Sequence, residues 1–145
     1  MLHRLLSDWE TAIKSAVPQR GATSSAPKVT RALARVSWSS WSAQEADRRA
    51  RALSERFGGL ETSWNGKLVR LGGALRCVES DARREGVRLR PGEASWKPGC
   101  ADLCIGLADG TWLSTTRLTV SGGKEMSAPD FARGYWNKNP GLPFV

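Results

Sequence analysis

The sequence has little of the residue types that most catalytic and metal centres use. Its 145 residues include one histidine, His3, and three cysteines, Cys77, Cys100 and Cys104. An odd number of cysteines without tandem CxxC spacing argues against a disulfide framework and favours a reducing compartment. Cys100 and Cys104 lack further ligands for a tetrahedral zinc site. We therefore predict no catalytic residues, no metal and no cofactor in this chain.

Long apolar runs are also missing. No stretch approaches the about 18 consecutive apolar residues of a spanning helix, so we expect no membrane partner. A length of 145 residues corresponds to about one average domain. With 25% charged and 40% hydrophobic residues, the composition is typical of a globular protein.

Acidic residues are scarce relative to basic ones. The chain has 22 Lys+Arg against 14 Asp+Glu, a formal net charge of +8, and 16 of the basic residues are arginines. Because the guanidinium fork binds phosphate in a bidentate manner and stacks on bases, this excess favours a nucleic acid or another polyanion as partner. The alternative is a basic surface with no specialised role.

The N-terminal part predicts a helix followed by a basic linker. Apolar residues from Leu2 to Ala16 recur at spacings of three and four, which is the pattern of an amphipathic helix ending at Pro18. The following residues, 19–27, are rich in Gly, Ser, Thr and Pro. Between residues 11 and 44 the chain has five basic residues and no acid, so the linker is a candidate polyanion contact.

A second helix begins with a capping-box pattern. Ser42 is expected to accept the amide of Glu45, while the Glu45 carboxylate reaches back, and Gly58 is the natural stop. Its apolar positions, Ala43, Ala46, Ala50, Leu53 and Phe57, form one face. Arginines occupy the rest of the helix, and they are either a solvated face or phosphate contacts.

Short strands and tight turns fill the region after Gly59. Asn65-Gly66 and Asp109-Gly110 each separate two apolar segments, which predicts two type I′ hairpins. The predicted extended pieces are Leu60–Trp64, Lys67–Leu71, Leu75–Val78, Val87–Leu89, Glu93–Trp96, Leu103–Leu107 and Thr111–Val120, with Pro91-Gly92 as a turn. So many short strands favour a closed barrel, because closure removes exposed edges.

The C-terminal region predicts a short helix and a tail. Ser127 and Pro129 are a helix-capping signal before Phe131 and Ala132. The predicted organisation is an N-terminal helix and basic linker over 1–41, a barrel domain over 42–136 and a tail over 137–145. Five of the seven tryptophans lie in or beside predicted elements and are expected to pack in the core: Trp38, Trp41, Trp64, Trp96 and Trp112.

Several segments together resemble the C-terminal domain of methionyl-tRNA formyltransferase, with its linker and the last helix of the preceding catalytic domain. The matching segments, in the family's order, are Pro18-Gln19, Gly21-Ala22-Thr23, Ala26-Pro27-Lys28-Val29, Val36-Ser37-Trp38, Ala46, Arg48 to Ala52, Asn65 to Leu71, Pro91-Gly92, Asp109-Gly110, Leu118, Gly123-Lys124, Met126 to Ala128, Asp130-Phe131 and Gly134. The resemblance implies a mainly β fold, a small oligonucleotide-binding-like (OB-like) barrel with flanking α-helices, and an RNA partner.

The chain also departs from that family. Residues 53–59 lack the two prolines of the family's turn after this helix, and residues 119–122 lack its glutamine. The family's catalytic residues and folate-binding loop precede the region that this chain matches, so the resemblance implies no formyl transfer by this chain. His3 falls in the helix that the family places last in its catalytic domain.

These observations leave three hypotheses for function. The first is a non-catalytic RNA-binding module, a structural component of a ribonucleoprotein such as a mitochondrial ribosome, bound to rRNA or tRNA and to other proteins. The second is the tRNA-binding part of a split methionyl-tRNA formyltransferase in translation initiation, and the third is a protein-interaction adaptor. The expected compartment is the mitochondrion, with the bacterial cytoplasm or the plastid as alternatives. The candidate RNA-binding residues are Lys28, Arg31, Arg35, Arg48, Arg49, Arg51, Lys67, Arg70 and Lys124.

Overall fold

The architecture comes from a computed structural model that describes residues 9–17, 21, 25, 28–78, 88–139 and 141–145. Helix α1 spans Trp9–Lys14, within the predicted helix, whose first residues lie outside the described part. A 3₁₀ helix, Arg31–Ala34, follows in the linker. The remaining helices are α2 (Ala43–Phe57), α3 (Ala128–Gly134) and a 3₁₀ turn at Trp136–Lys138.

Helix α2 confirms most of its predicted signals. The Ser42 hydroxyl accepts the Glu45 amide at 3.3 Å, and the helix ends at Gly58 in the left-handed conformation. Its buried face consists of Ala46, Ala50 and Leu53. The Glu45 carboxylate does not complete the capping box, because Arg48 and Arg49 hold it in ion pairs on the outer side of the helix.

Eight strands form two four-stranded antiparallel sheets. The strands are β1 (Leu60–Trp64), β2 (Lys67–Gly72), β3 (Arg76–Val78), β4 (Ala94–Ser95), β5 (Leu103–Gly106), β6 (Trp112–Thr115), β7 (Arg117–Val120) and β8 (Glu125–Ser127). One sheet has the order β1-β2-β7-β8 and the other β3-β6-β5-β4. The predicted mainly β fold with flanking helices is therefore confirmed, and Ser127 is the N-cap of α3, whose Asp130 amide its side chain accepts.

The two sheets continue into one another without forming the predicted closed barrel. β3 follows β2 along the chain after a bend, and β7 follows β6 in the same way. The first of each pair of strands lies in one sheet and the second in the other, and the two bent segments pair in both sheets: β2 with β7, and β3 with β6. At the bend the Thr115 hydroxyl donates to the carbonyl of Gly72 at 2.9 Å. Among the described residues, no ladder joins the edge strands of the first sheet, β1 and β8, to those of the second, β3 and β4. The sheet is bent through this corner rather than closed.

The two predicted hairpin turns differ. Asn65 and Gly66 both have positive φ, 48° and 70°, as a type I′ turn requires. At the second turn only Gly110 has a positive φ, and the loop is closed by the amide of Leu107 bonding to the carbonyl of Thr111 at 2.8 Å. The type I′ prediction is wrong there, because the hairpin uses a longer loop with a glycine in the left-handed region.

Two distant segments cover the outer edge of β1. The amide of Val36 in the linker donates to the carbonyl of Glu61 at 2.8 Å. Farther along, Ser63 and Val145 exchange two backbone hydrogen bonds of 2.7 and 2.8 Å, and the amide of Phe144 donates to Gly92 at 2.8 Å. The sequence places residues 141–145 in a tail. In the structure this segment lies between β1 and the Pro91-Gly92 turn, which bonds to Gly106 at the end of β5.

The core lies between the bent sheets and the helices. Trp38, Trp41, Trp64 and Trp112 are buried, which confirms the packing role predicted for them, and Trp96 is partly buried against the same core. The Trp38 indole donates to the buried Thr62 hydroxyl at 2.9 Å. Within the described part of the chain, no helix has the length and apolar character needed to cross a bilayer.

The buried ring of Phe144 gives the first prediction. It is 1% exposed and lies about 6 Å from the rings of Trp38, Trp64 and Phe131. Phe144→Ala should lower the free energy of unfolding by about 3 to 5 kcal/mol, because it leaves a cavity in the core. Urea denaturation followed by tryptophan fluorescence measures this. Val145→Ala is the control, since its side chain is exposed, and an equal loss in both variants would contradict a core role for the ring.

A second prediction concerns Asp109, which joins the β5–β6 turn to α2. Its carboxylate accepts the amide of Ala43 at 2.7 Å and that of Thr111 at 3.0 Å. Partial burial raises the pKa of Asp109, but hydrogen bonds from the Thr111 side chain and from both amides outweigh it and hold the pKa below its ordinary value. Asp109→Ala should therefore cost about 1 to 2 kcal/mol at neutral pH.

The pH dependence follows from that lowered pKa. The ionised carboxylate stabilises the fold above the unfolded-state pKa, and this stabilisation is lost as the pH falls through the lower folded-state pKa. The stability difference between wild type and Asp109→Ala should shrink in acid, as measured by urea denaturation across pH. Asp47→Ala, which removes an exposed helix ion pair, is the control, and a difference independent of pH would contradict this role.

Candidate nucleic-acid interface

The nine predicted RNA-binding residues lie on different elements, and their partners distinguish them. Lys28, Arg31 and Arg35 belong to the linker, and Arg48, Arg49 and Arg51 lie on α2. Lys67 is the first residue of β2, Arg70 lies within that strand, and Lys124 lies in the β7–β8 turn.

Two of the predicted residues pair with a buried acid. Arg31 Nε lies 3.1 Å and Arg70 Nη2 lies 3.6 Å from Glu61 Oε1, and the Glu61 side chain is only 7% exposed. Glu61 Oε1 has no well-aligned hydrogen bond, so proximity of charge holds this cluster together. Removing one member of a buried charge cluster leaves another uncompensated, which is costly. Arg31 therefore attaches the linker to β1 and contributes only part of its charge to the surface.

The arginines of α2 are also compensated. Arg48 and Arg49 share the Glu45 carboxylate, and Arg51 lies 2.9 Å from Asp47. The hydrogen bond from Arg49 lowers the pKa of Glu45 and outweighs the rise that burial causes, and the charges of Arg49 and Arg48 lower the pKa further. Exposed helix pairs of this kind contribute only about 0.2 to 0.5 kcal/mol, so a phosphate can replace the acid at little cost.

Arg49 has a structural role that the other two helix arginines lack. Its guanidinium lies 4.6 Å from the centre of the Trp41 ring and donates to the carbonyl of Leu33 at 3.1 Å. These contacts join the linker 3₁₀ helix to α2. The Arg49 side chain therefore stabilises the fold, whereas the side chains of Arg48 and Arg51 are mostly exposed to solvent.

Four predicted residues have no ion pair within the described part of the chain: Lys28, Arg35, Lys67 and Lys124. They form two groups. Arg35 follows the linker 3₁₀ helix, and Lys28 precedes it. Lys67 and Lys124 belong to neighbouring turns, since the amide of Ser121 donates to the carbonyl of Leu68 at 2.8 Å.

Sequence analysis missed two further arginines beside the linker. Arg88 and Arg90 are exposed on either side of the buried Leu89. They line a depression of about 680 Å³, and Pro91 lies both in its lining and in that of a second depression of about 580 Å³, to which Arg35 also contributes. The charged-apolar-charged alternation of residues 88–90 was the available signal, because an extended chain places both charges on one face.

The next feature is the reactivity of the three cysteine thiols. No disulfide joins any of the three, all of which the structure describes, and Cys104 is buried. The Cys77 thiol donates to the carbonyl of Ala43 at 3.0 Å, and burial raises its pKa to about 11, with the charges of Asp47 and Asp109 adding to the effect. A thiol with so high a pKa is a poor nucleophile at neutral pH. Among the described residues, no three His, Cys, Asp or Glu side chains are grouped to hold a metal ion.

The two arginines that share Glu45 give the third prediction. Arg49→Gln should lower the free energy of unfolding by about 1 to 2 kcal/mol, because it removes the contacts with Trp41 and Leu33. Arg48→Gln should change it by less than about 0.5 kcal/mol, since that residue makes only an exposed ion pair. Urea denaturation of the two variants is the measurement, and equal effects would contradict the structural role of Arg49.

Comparisons with known proteins complete the description of this chain. The family model of the formyl transferase C-terminal domain matches residues 28–136, about three quarters of the chain. A crystal structure of a HypX variant from Aquifex aeolicus is similar at a TM-score of 0.58 and 21% identity, over 95% of this chain and 24% of the HypX chain. HypX from Aquifex aeolicus in complex with tetrahydrofolic acid is similar at a TM-score of 0.54 and 20% identity, over 90% and 23%.

Similarity at this level of identity shows the fold. The chain spans about a quarter of the length of the HypX structures that it matches. No curated protein matches the sequence significantly.

Proposed function

Because the chain belongs to the family of formyl transferase C-terminal domains, we propose that it is a non-catalytic RNA-binding module that uses the basic linker beside β1. The observation that carries this proposal is the placement of two linker cations, Lys28 and Arg35, that form no ion pair with the described residues. Arg35 lies between the buried residues Ala34 and Val36 and is exposed, and the backbone bond from Val36 to Glu61 fixes that segment.

Phosphate contacts need cations that are not already paired with an acid. Lys28 and Arg35 are free within the described residues, whereas Arg31 is partly neutralised by Glu61 and Arg51 is paired with Asp47. The net charge of +8 adds a general attraction for a polyanion. Binding based on such contacts is typically weak and independent of sequence, with dissociation constants of about 10⁻⁴ to 10⁻⁶ M at physiological salt.

The non-catalytic part of the proposal rests on the side chains that are present. General acid-base catalysis needs a titratable group within reach of the reacting atom. The single histidine is His3, and the family match is to the C-terminal domain. Neither the linker surface nor the groove at Pro91 brings together a nucleophile and a base.

Weak, sequence-independent binding favours a role inside a larger assembly. We place the chain in a ribonucleoprotein, where other proteins and a composite RNA surface add to its own contacts. An organellar ribosome of the mitochondrion is the proposed setting, with rRNA or tRNA as the ligand.

A second candidate is the accessory domain of a formyl-transfer enzyme, including a split methionyl-tRNA formyltransferase. It is favoured by the family match and by the likeness to HypX, a protein whose structure was solved with tetrahydrofolic acid. In this role the basic surface serves to hold the formyl acceptor beside a catalytic domain. A protein-interaction adaptor is a third candidate, in which the same surface contacts acidic proteins.

The fourth prediction tests the linker directly. The double variant Lys28→Gln with Arg35→Gln should bind single-stranded RNA more weakly, with a slope of log K against log salt reduced by about 1.4, since each phosphate contact on a single strand contributes about 0.7. Fluorescence anisotropy with a labelled oligoribonucleotide, at salt concentrations from about 50 to 200 mM, measures both quantities.

The matched control removes two exposed cations elsewhere, Arg76→Gln with Lys97→Gln, and so changes the net charge equally. An unchanged slope in the linker variant, or the same change in the control, would contradict a role for the linker in binding. Wild-type protein that shows no RNA binding at low salt would overturn the proposal and the split methionyl-tRNA formyltransferase with it. It would favour the adaptor role, or an accessory domain whose formyl acceptor is not an RNA.

A further inference from the structure

Two depressions on the surface share the lining residue Pro91, and linker residues border only one of them. We call these two depressions together the Pro91 groove. One is lined by Arg35, Trp38 and Phe144 and measures about 580 Å³, and the other is lined by Arg88 and Arg90 and measures about 680 Å³. Each depression has about the volume of a small-molecule site, which suits one or two nucleotides.

The backbone of the groove is held rigidly. The amide of Glu93 donates to the carbonyl of Arg90 at 2.9 Å and closes a turn, in which Gly92 has a φ of 80° after Pro91. Gly92 also bonds to Gly106 and Phe144, and a Cβ at Gly92 would lie 2.3 Å from the Phe144 carbonyl oxygen. The turn is therefore fixed to β5 and to the C-terminal segment that covers β1, so it loses little conformational freedom when a ligand binds.

Positive charge lines this rigid turn on both sides. Arg88 and Arg90 flank the buried Leu89, so their side chains lie on one face with Cα atoms about 7 Å apart. Neither guanidinium forms an ion pair with the described residues. Glu93 is the one acidic side chain among the lining residues, and its carboxylate accepts the Arg90 amide at 2.9 Å.

We propose that the Pro91 groove binds a single-stranded segment of RNA through its phosphates, with Arg88 and Arg90 on one side of Pro91 and Arg35 on the other. This inference rests on the proposed RNA-binding function and adds a site to it. Arg35, Arg88 and Arg90 form no ion pair with the described residues and outnumber Glu93, the one acidic side chain of the lining, so the lining carries a net positive charge. The guanidinium fork matches phosphate oxygens. The exposed Pro91 ring between them offers an apolar surface to a ribose or base.

The experiment compares two double variants of the full chain with a single-stranded oligoribonucleotide by fluorescence anisotropy over a range of salt. Arg88→Gln with Arg90→Gln should reduce the slope of log K against log salt by about 1.4. The control is again Arg76→Gln with Lys97→Gln, which has the same net charge. Arg88→Lys with Arg90→Lys keeps both charges, so it should retain the wild-type slope and lose affinity through the missing bidentate contacts.

The outcomes separate this inference from the function on which it rests. A groove variant that behaves like the control, while Lys28→Gln with Arg35→Gln still weakens RNA binding, overturns the groove and leaves the linker. Absence of RNA binding by the wild type overturns both. Polyglutamate that binds the wild type and not the groove variant, with RNA binding unchanged, overturns the RNA ligand in favour of an acidic protein. If the groove variant reduces the salt slope for a duplex RNA as much as for the single strand, the proposal of a single-stranded ligand is overturned.

Discussion

Strand β1 has an outer edge whose backbone groups need partners, and two segments more than a hundred residues apart supply them. The linker bonds to Glu61, and Val145 exchanges two hydrogen bonds with Ser63. An unpaired edge of this kind is a site for unwanted association, so covering it protects the sheet. The same contacts fix the linker cations and connect the C-terminal residues to the Pro91 turn. The shape of the core and the placement of the basic surface therefore depend on one strand edge.

Local signals predicted the elements well and the long-range contacts poorly. The cap at Ser42, the glycine at residue 58 and the Asn65-Gly66 turn depend on neighbouring residues, and each was predicted from a few letters. The role of residues 141–145 depends on Phe144 fitting between Trp38 and Trp64, and no periodic pattern in the last residues indicates it. The turn at Asp109 and Gly110 is not the predicted type I′ turn. A long-range contact acts there too, since the Asp109 carboxylate accepts an amide of α2.

The candidate site shows the same division. Composition correctly indicates an excess of positive charge, but only the structure shows which charges are compensated. Arg49 stacks on Trp41, and Arg31 lies beside the buried Glu61, so both side chains stabilise the fold. Arg88 and Arg90 join the surface because the chain folds back beside the linker at Pro91. A formal charge of +8 is thus a weaker guide to a polyanion site than the subset of cations without an acidic partner.

The central claim is that RNA lies along the linker and the Pro91 turn on the covered edge of β1. An amide chemical-shift titration of the ¹⁵N-labelled chain with a single-stranded oligoribonucleotide tests it most directly. The account predicts that the largest shifts fall within residues 28–38 and 88–93 and diminish together as salt is raised. Shifts confined to the turns that carry Lys67 and Lys124, or no shifts in either segment, would contradict it.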